Sequence, residues 1–584
     1  MIRGKFIFLI ITVVFFVWVG AILGDFVYDD SALIVNNPFI KSPQNLGLLF
    51  SKNYISSPVS DFFYQGAYNM GSGESTYRPV ATLSYFVNYA LFGLKPWGYR
   101  LTNVLLHAVN AALVYILLLQ LFAWPKFAIL AGLLFGVHPS SAEVIACTGF
   151  RPNILAMLFS LLTIMLYFKA QDKASVKARY SFLALSLFCF FLAVFSKEIA
   201  VFLPLALFTC EYYRKNCNFK KVLSSWKSYL WYLALPLVYL AVYFFLMRPT
   251  QNIFDAGGWL RNTVRVADIF GAYLKNMVFP EDLVMIPPMA MLKSYFNITA
   301  GAVFLIWSGY VLLRKRKFSP EISFGILWFL IWALPMNNFF NTFRILIANR
   351  FLYIPLVGFT AVIAVLLIKF GDKKNILTAR LPSLKYILPL ASLSYFSIFA
   401  FSNSALWKNE LLICMSVVEK YPESPTARVD LGETWFKRGN YPEALYEFDI
   451  AVSKAQGKLS LFDFVRVYSD AGQIFMARGE YKRAEEKYRE AIAVTPNMPY
   501  FYVALGSCYA KQGFYDKALK ELAAAKNINP LYVPAYLKGG TVYSLMRKYE
   551  DARQEFQRAL KIDPHSQEAK QDLDNLEEVI QKKK

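Results

Sequence analysis

Long apolar runs fill the first two thirds of the chain, and a shorter mixed period takes over in the last third. The first run extends from Phe6 to Leu23 behind Arg3 and Lys5, about 18 residues and so long enough to span a bilayer. It carries no small-residue cleavage pattern and other runs follow it. That predicts a retained first transmembrane helix rather than a secretory signal. Further apolar stretches lie near 100–122, 126–138, 153–169, 180–196, 198–212, 229–247, 298–314, 321–337, 351–369 and 384–404. The expectation is an all-α chain whose residues 1–407 form a polytopic membrane domain of about eleven helices, with long loops at 25–99 and 248–297 and a linker at 408–424.

From Pro425 onward three registers repeat together. Gly472, Gly506 and Gly540 recur at 34-residue steps, as do Ala484, Ala518 and Ala552, and as do Pro496, Pro530 and Pro564. This is the tetratricopeptide helix–turn–helix period. Small residues let the paired helices approach, Tyr481, Tyr515 and Tyr549 fill the groove beside the turn, and proline ends the second helix. A degenerate first copy carries Gly432, Gly439, Tyr441 and Ala444, offset by an insertion near 456–463. Residues 425–584 are therefore expected to form an α-solenoid of four repeats with a polar capping helix from about 566. Its concave face is suited to an extended peptide or protein; the bland alternative is a spacer.

Composition sharpens the division. Residues 1–407 hold 35 Lys+Arg against 15 Asp+Glu and the rest 27 against 25, so most of the net charge of +22 belongs to the apolar part. Basic loops there orient spans; a nucleic-acid protein would gather its charge on a solvated face, and no nucleic-acid partner is expected. Clusters at Lys169–Arg179, Arg214–Lys227, Arg314–Lys317 and Lys369–Lys385 then face the cytoplasm. The two long loops and the repeats fall on the other side. Six cysteines, Cys147, Cys189, Cys210, Cys217, Cys414 and Cys508, show no CxxC spacing, so neither a disulfide framework nor a zinc site is indicated.

Acidic residues are sparse in the membrane part, which makes Asp29–Asp30 a candidate catalytic pair. Neighbouring side chains diverge along the backbone, so one carboxylate would face a substrate while the other holds the loop or a cation; capping a short helix is the structural alternative. Arg78, Arg100, His107, His138, Glu143, Arg151, Lys197, Glu198, Arg344 and Arg350 all map to the same outer edge. Snorkelling explains any one of these cations, but the accompanying acids and histidines point to a shared cavity for an anion. Guanidinium groups would clamp a lipid-linked phosphate, and an aspartate would take the proton of an incoming hydroxyl. No Walker loop, GxSxG elbow or HExxH motif occurs.

Taken together, Tyr28-Asp29-Asp30, Asn37-Pro38, Tyr77-Arg78-Pro79, Asn88-Tyr89, Gly98-Tyr99-Arg100-Leu101-Thr102-Asn103, His107, His138-Pro139 with Glu143 and Arg151, Lys197-Glu198 and Arg350-Phe351-Leu352-Tyr353-Ile354-Pro355 resemble the transmembrane and tetratricopeptide-repeat-containing proteins. The resemblance covers most of the chain. It implies a GT-C glycosyltransferase that moves a sugar, typically mannose, from a polyprenyl-phosphate donor to a hydroxyl acceptor with inversion. It also implies that Asp29 or Asp30, with Asp29 preferred, is the base. Arg78, Arg151, Arg350 and Lys197 would then bind the donor phosphate, with His107, His138, Glu143 and Glu198 as supporting polar groups. No cofactor or metal ligand set is indicated, although the carboxylates are compatible with a divalent cation. The departures are Ser141 for a second histidine, Phe150 for a glycine and Asn349 for an acid; they bear on the donor sugar and pocket shape.

The expected setting is a bacterial inner membrane with the repeats in the periplasm, where they recruit a protein or peptide acceptor; a single sequon, Asn297-Ile298-Thr299, is the basis. A non-catalytic membrane-anchored repeat scaffold for envelope assembly is the alternative. A transporter would set ionisable groups at the midplane rather than at one edge.

Overall fold

A computed structural model describes residues 2–49, 78–173, 175–247, 258–280, 294–314, 317–336, 347–372, 384–455, 459–564 and 566–582. Tyr77, Arg344 and much of both long loops lie outside them. The chain divides into two units, one reaching Ile413 and the other running from Cys414 to Lys584.

In the first unit each apolar run forms a helix. Six helices are long and apolar enough to cross a membrane among the described residues: Gly4–Leu23, Pro96–Phe122, Thr148–Gln171, Val176–Ser196, Tyr295–Leu313 and Tyr386–Leu406. The bent pair Pro125–Val137 and Pro139–Ala146, angled at 49°, makes a seventh if it is one span. Pro320–Ala333 and Leu356–Phe370 are shorter apolar helices. The expected figure of about eleven also includes 229–247, which lies in the 22-residue helix Trp226–Met247, and 198–212, which is split into a 3-10 turn, Glu198–Phe202, and a helix, Leu203–Arg214.

Three helices lie where loops or a linker are expected from sequence. Pro79–Phe92 is only 14 residues long and carries Ser84 and Asn88. Gly258–Val278 carries Arg261, Arg265, Asp268 and Lys275 in one stripe and buries Ile269, Phe270, Tyr273 and Met277 on another side. Glu410–Lys420 occupies the linker and buries Ile413, Cys414, Val417 and Val418, a helical spacing. Gly258–Val278 packs against Tyr295–Leu313 nearly backbone to backbone. A Cβ at Gly271 would collide with the Asn297 carbonyl, and one at Gly301 with that of Ala267. Small residues at such crossings let helices associate by van der Waals contact where lipid supplies no hydrophobic drive.

The second unit stacks helix pairs Pro425–Lys437 with Tyr441–Ala455, Leu461–Ala477 with Tyr481–Val494, Pro499–Lys511 with Tyr515–Ile528, and Val533–Leu545 with Tyr549–Ile562, followed by Gln567–Gln581. Ala444, Ala484, Ala518 and Ala552 are fully buried, and a Cβ on Gly432, Gly472 or Gly540 would strike Phe448, Tyr488 or Phe556 respectively. The intra-repeat turns use left-handed backbone at Gly439, Gly479 and Gly513, with φ of 77°, 75° and 82°. The fourth repeat places Arg547 there, at φ 60°. A side chain in that region costs about 1–2 kcal/mol. Arg547→Gly should therefore raise the stability of the repeat unit by about 1 kcal/mol in thermal or denaturant melts; an unchanged or lower midpoint would show that the arginine side chain repays its strain elsewhere.

Candidate functional site

The polar residues of the membrane unit gather around one turn. From Val137 to Arg151 every residue is buried, although the backbone passes through 3-10 turns at Pro139–Ser141 and Thr148–Phe150 and only a short helix, Ala142–Ala146, between them. Buried backbone outside regular structure must find partners within the protein. Asn103 Nδ2 donates to the Ile145 carbonyl at 3.1 Å, and the Tyr85 hydroxyl donates to that of Thr148 at 3.0 Å. His138 bonds the Met277 carbonyl through Nε2 at 2.9 Å while its Nδ1 accepts from the Ser140 amide at 3.2 Å.

Asp30 is a further partner of the turn. Its carboxylate is fully buried and accepts the Gly149 amide at 2.6 Å, the Val27 amide at 3.2 Å and the Cys147 thiol at 3.5 Å. Burial pushes this carboxyl above its ordinary range, against the pull of Arg100 and the amides. Asp30 thus joins the first loop to the buried turn. Asp29, next to it, is only half-buried. Tyr28 adopts φ 50°, a strained backbone for a tyrosine, and the chain then runs so close to the turn that a Cβ at Gly149 would lie 2.9 Å from Asp29 Cβ. Both carboxylates lie within electrostatic reach of Cys147, but Asp30 is the one that bonds its thiol.

Three of the expected phosphate-binding cations, Arg151, Arg350 and Lys197, lie at or beside the same turn, but on different terms. Arg151 is fully buried and wholly engaged: Nε donates to Asn103 Oδ1 at 2.7 Å, one terminal nitrogen to Ser84 Oγ at 3.1 Å, and the other to the Tyr99 carbonyl at 3.0 Å. Its guanidinium lies over the Tyr85 ring, 5.2 Å from the centroid. In this structure it braces the turn, with all three of its nitrogens donating to protein acceptors. Arg350 ion-pairs with Glu143 and donates its own amide to the same carboxylate at 3.0 Å, stacked over Phe150 at 4.4 Å. Lys197 donates to Asn153 Oδ1 and sits 5.7 Å from the Phe351 centroid.

Arg78 and Glu198 form the outermost pair, bidentate at 3.1 and 2.8 Å, with 21% and 39% of their side chains exposed. Burial pushes the Glu198 carboxyl up, but Arg78 and Lys197 outweigh it and bring it down to about 2. The pair is therefore complete above about pH 4.5 and is lost as the pH falls toward 2. His107 lies deeper, between the Tyr353 hydroxyl and the Gly136 carbonyl, each at 2.9 Å. It supports the packing and reaches no open face.

Comparison with known proteins follows this division. Residues 416–458 and 533–566 match tetratricopeptide repeat families, and 472–513 match a TPR repeat family. Protein O-mannosyl-transferase F38B6.6 of Caenorhabditis elegans is 27% identical over 70% of this chain and 57% of its own. Protein O-mannosyl-transferase TMTC3 of Homo sapiens is 23% identical over 85% of this chain and 55% of its own. The homologues are protein O-mannosyl-transferases of the TMTC family, with tetratricopeptide repeats. The chain spans about half the length of these curated relatives. Among solved structures, a thermophilic TPR protein of Thermus thermophilus is 22% identical over 27% of this chain and 83% of its own, with a TM-score of 0.24.

Beside the residues expected from sequence, the turn in this O-mannosyl-transferase homologue relies on Tyr85 and Asn153, which sequence reasoning does not single out, and on Asn103, which enters there only as the end of the Gly98–Asn103 motif. Arg100 is expected as an outer-edge cation; it is instead buried and holds the carbonyls of Ala21 at 3.0 Å and Trp407 at 2.9 Å. A signal does exist: Arg100, Asn103, His107 and Asn110 recur at steps of three and four, a polar stripe on an otherwise apolar helix. Asp30→Ala should lower stability by about 1–3 kcal/mol by orphaning the Gly149 amide, whereas Asp29→Ala should change it by less than about 1 kcal/mol. Melting of the purified variants in detergent distinguishes them, and equal losses would remove the distinction drawn between the two carboxylates.

Proposed function

We propose that the chain is an integral-membrane, inverting glycosyltransferase of GT-C type. It transfers a hexose, with mannose the first choice, from a polyprenyl-phosphate donor to a hydroxyl of a protein acceptor. The observation that carries this reading is the split of the first-loop pair: Asp30 is sealed onto the Gly149 amide while Asp29 stands half-buried beside the same turn. In the reaction the acceptor oxygen attacks the anomeric carbon and its proton passes to the Asp29 carboxylate. The bond from that carbon to the phosphate oxygen breaks, and polyprenyl phosphate leaves with the electron pair. Arg78, Lys197 and Arg350 are the cations assigned to the departing phosphate, since the guanidinium of Arg151 is consumed. The names of the relatives support the class of reaction. A bacterial inner membrane, with the repeats on the periplasmic side to recruit the acceptor, is the proposed setting.

A membrane-anchored scaffold is the second reading, favoured by the internal pairing of Arg78 and Arg350 with Glu198 and Glu143. Transfer of radiolabelled sugar from a synthetic polyprenyl-phosphate mannose separates the two. Asp29→Asn should lower the rate at least about a hundredfold, the scale of general base catalysis, with melting behaviour kept. Full activity in that folded variant would end the assignment of Asp29, and no transfer by the wild type with any polyprenyl-phosphate hexose would favour the scaffold.

A further inference from the structure

The repeat unit contains a polar cluster that the transfer chemistry does not use. Asp430, Glu433 and Lys437 follow one another at helical spacing on Pro425–Lys437, and Asp463, Arg466 and Asp470 do so on Leu461–Ala477, so each set shares a face. Arg466 is the hub, with Asp430 at 2.7 Å, Glu433 at 2.7 Å and Asp463 at 3.5 Å. The Thr426 and Ser460 hydroxyls both donate to Asp463 at 2.8 Å, and Lys437 pairs with Glu433 at 3.0 Å.

Two cations thus face four carboxylates, and Asp470 is the one left over. It is 8% exposed, and among the described residues it takes part in no hydrogen bond or ion pair. Burial pushes its carboxyl up to about 7, with Glu433 adding to the shift and Arg466 and Lys437 opposing it. Next to it the wall is built for a polar chain. Ser469 Oγ and the Tyr500 hydroxyl are 2.6 Å apart, and exposed Gln473 donates to both at 3.1 Å. The first helices of stacked repeats line the concave face of a solenoid. A buried carboxylate without a cation is unfavourable, and a ligand that supplies the cation recovers that penalty.

We infer that the concave groove of the first two repeats binds an extended acceptor peptide through a lysine or arginine side chain that pairs with Asp470. This rests on the reading that the repeats recruit the acceptor, and it names the chemistry of what they recruit: a basic segment rather than an acidic one. The pairing requires Asp470 to be ionised, so affinity should rise as the pH climbs toward 7 and then level off. The charged and titratable groups facing Asp470 are Glu433, Lys437, Arg466, Tyr488 and Tyr500. Burial raises Glu433, but Arg466 and Lys437 bring it down to about 2, and Arg466, lowered by burial, is held well above its ordinary value by Glu433 and Asp430. Asp430 is raised by burial and opposed by Arg466; the Asp470 variant separates its titration from that of Asp470.

The test is fluorescence anisotropy on the full-length protein in detergent micelles, without donor. The probes are a labelled Ser/Gly peptide carrying arginines and the same peptide with glutamate or glutamine in their place. At pH 7.5 the arginine peptide should bind at least about tenfold tighter than either control. Asp470→Asn should cost about tenfold, or roughly 1.4 kcal/mol, and abolish the weakening seen in the wild type at pH 5.5. Removing a carboxylate that lacks a partner should leave melting unchanged or raised, and the pH dependence of the wild type stands as an independent arm. Equal binding of the three peptides, preference for the glutamate peptide, or wild-type affinity in Asp470→Asn would overturn the inference. Binding that persists where no sugar is transferred upholds it while sinking the transferase reading. Transfer to a small acceptor without preference for the arginine peptide does the reverse.

Discussion

Between Val137 and Arg151 the chain abandons regular helical geometry while every residue stays buried, and the polar backbone exposed by that departure has to be paired inside the protein. An unpaired buried group costs about 1–3 kcal/mol, and irregular backbone at membrane depth is tolerated only where protein or a cavity surrounds it. Three parts of the sequence answer this demand: the first loop through Asp30, the helix Pro79–Phe92 through Tyr85 and the next helix through Asn103. Two more hold the turn's side chains, the helix Gly258–Val278 through the Met277 carbonyl bonded to His138 and the segment at Arg350 through its pairing with Glu143. Elements far apart in sequence are drawn to one place because the turn cannot be buried without them.

That requirement sorts the polar residues into two groups. Those that satisfy the turn, Asp30, Asn103, His138, Glu143 and Arg151, have little left to offer a substrate. Asp29 beside it and the Arg78–Glu198 pair keep some exposure. Strain collects at the border between the groups: Tyr28 takes a left-handed backbone directly before the pair. A half-buried carboxylate held by a buried neighbour is preorganised by the fold rather than by a ligand.

The repeats are readable from sequence almost to the residue, because a 34-residue period forces Gly, Ala and Pro onto positions whose Cβ would collide or whose helix must end. The apolar runs are readable as helices for a similar reason, since lipid imposes one composition along a whole span. Pro79–Phe92 and Gly258–Val278 are not, because length and charge hide an apolar face that only neighbouring helices complete. The membership of the site is legible while its roles are not. Nothing around Arg151 in sequence says that Asn103, Ser84 and Tyr99 consume its donors, for those contacts span 48 to 67 residues. Asp29 and Asp30 are likewise indistinguishable until the Gly149 amide is placed.

The central claim is that Asp30 closes the first loop over a buried turn and so fixes Asp29 at its rim. Cys147 reports on it directly, since its thiol is buried and lies 3.5 Å from the Asp30 carboxylate. Maleimide labelling in native membranes, on a variant in which Cys147 is the sole cysteine, measures whether that closure exists. Cys147 should be unreactive in this background, become reactive with Asp30→Ala and stay unreactive with Asp29→Ala. Ready labelling without either substitution, or equal labelling of the two aspartate variants, would contradict the account.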